Sequence, residues 1–223
     1  MNESFRFVWS EVVPMLNQGL WMSLRLIIPS VAFGLLFGIV LGAVRTYGAP
    51  WVRRLGDGFV AVFRGTPLVC QLFVLYFGLP NLGIYFEPYE AAVVGFTLCT
   101  ASYQSEYIRG GLKATRRGQF LAAQALGFST LQSLLWVVVP QAVRRALPGI
   151  GNEIIYLIKY SSLAYVVTCV ELTGEGKIVA SQTFRFTEVF FVVGLYYLAM
   201  VSVATLVLRR LERGLAIPGF GRA

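Results

Sequence analysis

Residues 19–44 read GLWMSLRLIIPSVAFGLLFGIVLGAV and carry one charge, Arg25. The run is longer than the about 20 mostly apolar residues that cross a bilayer as a helix. Four further runs follow at about 59–79, 90–112, 153–171 and 188–208. Together they predict an all-α polytopic membrane protein with five transmembrane helices. A sixth stretch, Leu131 to Val139, is too short to cross. The 223-residue chain is 57% hydrophobic and only 13% charged, with a mean hydropathy of +0.68. That balance excludes an ordinary soluble domain. The first eighteen residues lack the basic start, short apolar core and small-residue site of a cleavable leader, so the first run reads as a retained span.

Net charge is +8, and its placement predicts topology. Arg45, Arg53 and Arg54 follow span one. Lys113, Arg116, Arg117, Arg144 and Arg145 follow span three, and Arg209, Arg210, Arg213 and Arg222 follow span five. The opposite side has Arg6, Lys177 and Arg185. The positive-inside rule then puts the N-terminus outside and the C-terminus in the cytoplasm. With no histidine in the chain, imidazole metal sites and histidine-based triads are excluded. Cys70, Cys99 and Cys169 lie in apolar runs without metal-ligand spacing and read as small packing residues.

Two features inside the runs bear on packing. Pro29 removes a helix hydrogen bond and predicts a kink in span one. Gly34, Gly38 and Gly42 repeat at four-residue spacing and present one flat stripe for close helix contact.

The loop after span three has its own structure. Residues 118–148 read GQFLAAQALGFSTLQSLLWVVVPQAVRRALP. Gln119 to Leu126 forms a short helix kept thin by Ala122, Ala123 and Ala125. Gly127 closes it in the left-handed conformation. Ser129 followed by Gln132 is a capping-box pattern that starts a second helix. Pro140 and Pro148 limit how far that helix and the next continue. A small, exposed helix on the charged side suits docking to a cytoplasmic protein; an amphipathic hairpin lying on the bilayer is the alternative.

Ala122, Ala123, Leu126, Gly127, Pro140 and Pro148 resemble the cytoplasmic coupling loop of ABC importer membrane subunits, with Leu121 where that family has glutamate. Further segments narrow the likeness: Arg64-Gly-Thr-Pro67 with Gln71, Ala101-Ser-Tyr103 with Glu106 and Arg109, Pro140-Gln-Ala142 with Arg144, and Asn152 with Lys159-Tyr-Ser-Ser-Leu163. Over about 60–220 the chain is similar to the bacterial permeases for polar amino acids, the histidine, glutamine, arginine and glutamate group. The resemblance implies a single permease domain over 1–223, with a coupling loop at about 113–148. It implies that Ala122, Ala123, Leu126, Gly127 and Phe128 meet a separate ATPase dimer. It further implies a second permease subunit, like or unlike, and an outer solute-binding protein.

The chain lacks a nucleotide motif of its own. The nearest candidate, Gly174-Glu-Gly-Lys177, is followed by Ile178, with Glu171 at the first glycine position. No cofactor is expected on this chain; ATP and Mg²⁺ belong to the partner. Arg64, Gln71, Glu106, Asn152 and Lys159 are the expected substrate-pathway residues, because ionisable groups inside spans are costly. Their alternatives are snorkelling for Arg64 and Lys159, a local ion pair of Glu106 with Arg109, and helix–helix hydrogen bonding for the neutral side chains. A passive channel and an importer for another small solute are the competing functions.

Overall fold

The computed structural model describes residues 3–115 and 117–215. Among them every regular element is helical. Helix α1, Phe5–Tyr47, is continuous through a π turn at Val8–Val12 and through Pro29. Then follow α2 (Pro50–Gly65), α3 (Leu68–Leu82), α4 (Pro88–Ala114), α5 (Arg117–Ala125), α6 (Thr130–Val167), α7 (Leu172–Thr183) and α8 (Phe186–Gly214). Helices α1 and α8 are each long and apolar enough to cross a membrane, and the bent pairs α2–α3 and α6–α7 meet the same test as pairs. Arg116 and Arg222 lie outside the described residues, as does the side chain of Arg117.

The glycine stripe packs as expected. A Cβ added at Gly34 would meet Thr100, at Gly38 Gln104 and at Gly42 Ile108. Both series advance by four residues in the same direction, so α1 and α4 run parallel. Helix α6 runs against α4: Gly111 abuts Ala142, Gly149 abuts Tyr107, and Gln104 Nε2 lies 3.5 Å from the Ile150 carbonyl. Arg145 donates to the Ala114 carbonyl in the same alignment. One core cluster joins Leu26, Leu72, Phe96, Leu157 and Val167. A second joins Ile108, Leu112, Val138, Ala142 and Ile150.

Several boundaries differ from the hydropathy reading. The run 59–79 is not one rod: α2 and α3 meet at 104° across Thr66 and Pro67. Thr66 is extended (φ −113°, ψ 145°), as the ring of a following proline favours. Helix α2 begins at Pro50, inside what reads as a loop. The run 153–171 changes to a 3₁₀ turn at Ser161–Val167 and breaks at Thr168, which is left-handed (φ 63°). Residues 172–183, read as an outer loop, form α7, capped by Glu171.

Pro140 and Pro148 do not end helices. The chain widens to a π turn over Ser133–Val138, and Val139 donates to the Leu134 carbonyl. The α geometry restarts there, with Pro140 in a first turn that has no need of its N–H. The stretch Leu131–Val139 is thus the leading part of α6. Of the three cysteines, Cys99 and Cys169 are buried but Cys70 is exposed.

Candidate functional site

The α2–α3 elbow is held by a side chain. Gln71 Nε2 donates to the Phe63 carbonyl (2.9 Å), the Thr66 carbonyl (3.1 Å) and Thr66 Oγ1 (3.0 Å). The two carbonyls are end-of-helix acceptors that the break leaves open. On the open side of the elbow lies a cavity of about 450 Å³, bordered by Arg64, Pro67, Leu68, Cys99, Tyr103 and Tyr160.

Arg64 connects this cavity to a charge network. Its guanidinium sits 5.1 Å from the Tyr103 ring centroid and 3.4 Å from Glu106 Oε1. The same Oε1 accepts from Arg45 (2.9 Å), and Oε2 accepts from Arg109 at 2.7 and 3.1 Å. Arg45 also donates to Asp57 Oδ1 (2.8 Å) and Ser105 Oγ (3.0 Å). The network therefore ties α1, α2 and α4 together. Although Arg45 reads as a loop cation, its side chain is only 5% exposed. Arg45 and Asp57 are functional candidates that sequence reading missed. The glycine stripe was the available signal, since it turns the following Arg45 towards α4.

The five expected pathway residues do not form one set. Arg64 and Glu106 meet each other. Asn152 and Lys159 lie on the exposed face of α6, where Lys159 Nζ sits 4.4 Å from the Tyr156 ring centroid and Tyr156 stacks on Tyr160. Gln71 is buried, and its amide N–H groups serve the elbow. Glu153, one residue after Asn152, is only 3% exposed.

The α5–α6 corner forms as its residues dictate. Gly127 is left-handed (φ 88°). Its N–H reaches the Gln124 carbonyl (2.9 Å) and the Phe128 N–H reaches the Ala123 carbonyl (3.1 Å). This pair of bonds is the Schellman closure. Ser129 and Gln132 then make the full capping box. Ala122, Leu126, Gly127 and Phe128 are exposed, Leu126 to 80%, whereas Ala123 is buried. Leu121, Leu126, Leu131 and Trp136, on the two sides of the corner, are all exposed apolar side chains. Among the described residues no cluster of His, Cys, Asp or Glu could hold a metal.

Comparison with known proteins gives one consistent result. The profile of the family described as binding-protein-dependent transport system inner membrane component matches residues 34–217. The glutamine transport system permease protein GlnP of Escherichia coli K12 is 35% identical over 95% of this chain and 99% of its own. The octopine transport system permease protein OccM of Rhizobium radiobacter is 34% identical over 92% and 87%. In the crystal structure of an amino acid ABC transporter with histidines, a chain 29% identical to this one superposes with a TM-score of 0.84, covering 96% of this chain and 99% of that one. A chain of the inward-facing MetNI methionine ABC transporter, 21% identical, shares the fold at a TM-score of 0.79, covering 97% and 100%.

Proposed function

Since this chain belongs to the family of binding-protein-dependent transport system inner membrane components, we propose a working scheme for it as the permease subunit of an amino acid ABC importer. The subunit is a multi-pass inner-membrane protein that performs no covalent chemistry. An ATP-binding subunit and a substrate-binding protein complete such an importer.

In the scheme the chain is one permease domain with five crossings, N-terminus outside. The broken pair α2–α3 is the second crossing and α4 the third. Parallel packing of α1 on α4 supports this, because the chain must return between them. The polarity of α4 comes from its buried seam of Thr97, Thr100, Ser102, Gln104 and Ser105. Lipid does not face those positions.

The α5–α6 corner is the coupling element. ATP and Mg²⁺ sit on the partner ATPase, whose closure pushes on Ala122, Leu126 and Phe128. Ala123 supports the corner from within. A second permease subunit covers the exposed α6 face of Asn152, Tyr156, Lys159 and Tyr160.

The substrate is a polar amino acid received at the elbow cavity. Arg64 takes its carboxylate, and the buried carboxylate of Glu153 on α6 is the partner assigned to the ammonium. Charge-assisted pairs of this kind are strong in a site shielded from water.

The doubly capped corner, with an 80% exposed leucine at its tip, carries the reading. The test is ATP-dependent amino acid uptake by the chain co-produced with its ATPase and binding protein. Deleting 118–130 abolishes uptake if the corner couples. Uptake that persists, or survives ATP depletion, defeats the scheme.

A further inference from the structure

Three cations converge on Glu106, and they are not equivalent. Arg45 and Arg109 occupy both carboxylate oxygens at 2.7–3.1 Å. Arg64 stands further off, at 3.4 Å from the oxygen that also accepts from Arg45. Its side chain is also the most open of the three, 41% exposed against 31% for Arg109 and 5% for Arg45. A guanidinium has five N–H donors. Arg64 is held on Glu106 by charge, with its planar fork unmatched.

The position of Arg64 gives that imbalance a use. It is the residue before Gly65, where α2 ends at the 104° elbow, and it borders the cavity. A carboxylate entering the cavity offers the two-pronged partner that Glu106 does not. Glu106 remains compensated by Arg45 and Arg109 after Arg64 leaves, so the exchange strands no buried charge. Lys159, the other cation near this region, rests on Tyr156 and does not border the cavity.

We infer that Arg64 is a time-shared cation: it binds Glu106 when the cavity is empty and the substrate carboxylate when the cavity is filled. Glu106 is then a competitor for Arg64, and occupancy releases the end of α2 from α4. The inference rests on the reading of the elbow cavity as the substrate site.

The test uses the full permease–ATPase complex in lipid nanodiscs without binding protein. The probes are the amino acid that wild type imports fastest from an equimolar mixture of the twenty, and its decarboxylated amine. Arg64→Gln is expected to weaken acid binding about tenfold or more, the effect of losing a charge-assisted pair, with the amine unaffected. Arg64→Lys keeps the charge without the fork and falls between. Glu106→Gln removes the competitor and is expected to tighten acid binding several-fold. In the Arg64→Gln background it has no such effect. Glu106→Asp, which withdraws the carboxylate but keeps the charge, also tightens acid binding and serves where Glu106→Gln fails to assemble. Weaker or unchanged acid binding in the Glu106 variants overturns the inference, since Glu106 would then hold Arg64 in place. Equal loss of acid and amine in Arg64→Gln overturns it too. A wild-type complex that binds neither probe overturns the cavity reading itself.

Discussion

Gly38 and Gln104 are packed so closely that a Cβ on the glycine would sit 2.5 Å from the Gln104 Cβ. Only hydrogen fits between α1 and α4 at that level. Gly38→Ala is expected to lower stability by about 1–3 kcal/mol, the range for overpacking a tight contact. Gly58, which has open space beside it, should accept alanine without loss. Thermal unfolding of the two variants in detergent checks the contrast.

The α5–α6 corner separates shape from contact. Gly127→Val forces a branched residue into a left-handed backbone, at about 1–2 kcal/mol. Leu126→Asp leaves the backbone alone but charges the exposed tip. Pull-down of the ATPase should weaken about tenfold or more for Leu126→Asp, as for loss of an interface anchor, with permease stability unchanged. Ala123→Asp should instead destabilise the permease itself, because Ala123 is buried.

Gln71 holds the elbow, so its removal loosens the cavity without touching the substrate. Gln71→Leu leaves the carbonyls of Phe63 and Thr66 without their side-chain donor, at about 1–3 kcal/mol. Gln71→Glu removes the donors while keeping the shape and should be at least as harmful. Protease sensitivity near 63–71 and uptake rate report the effect.

Glu171 is fully buried yet well supplied with donors: Thr173 N (2.9 Å), Gly174 N (3.0 Å) and Tyr197 Oη (2.9 Å). It caps α7 and ties it to α8. Glu171→Ala abandons all of these and is expected to cost about 3 kcal/mol or more. Tyr197→Phe removes one donor and should cost less than half as much. Unfolding midpoints of the two variants give the comparison.

What the sequence discloses here is mostly local. Ser129 and Gln132 are three residues apart, and their capping box depends on nothing else. Gly127 is legible for the same reason. The Gly34–Gly38–Gly42 stripe is periodic and announces a neighbour without naming it. Hydropathy averages across Thr66–Pro67 and therefore hides the elbow, although a proline inside an apolar run marks a conformational boundary. Pro140 misleads in the other direction, because the π turn before it depends on how α6 packs. The Glu106 site is legible only in part: Arg109 is three residues away, but Arg45 and Arg64 arrive from 61 and 42 positions distant through folding.

The matched glycine and α4 series at 34/100, 38/104 and 42/108 have a mechanical consequence. Two helices interlocked at three successive levels cannot slide there without unseating all three contacts, so this stretch of α1 and α4 acts as one beam. Gly111 against Ala142 and Gly149 against Tyr107 seat the middle of α6 on α4 in the same way, so movement during a transport cycle falls to what lies outside these contacts: the hinge at Thr66–Pro67 and the end of α6 that begins at the corner. The stroke of the machine is set at its joints.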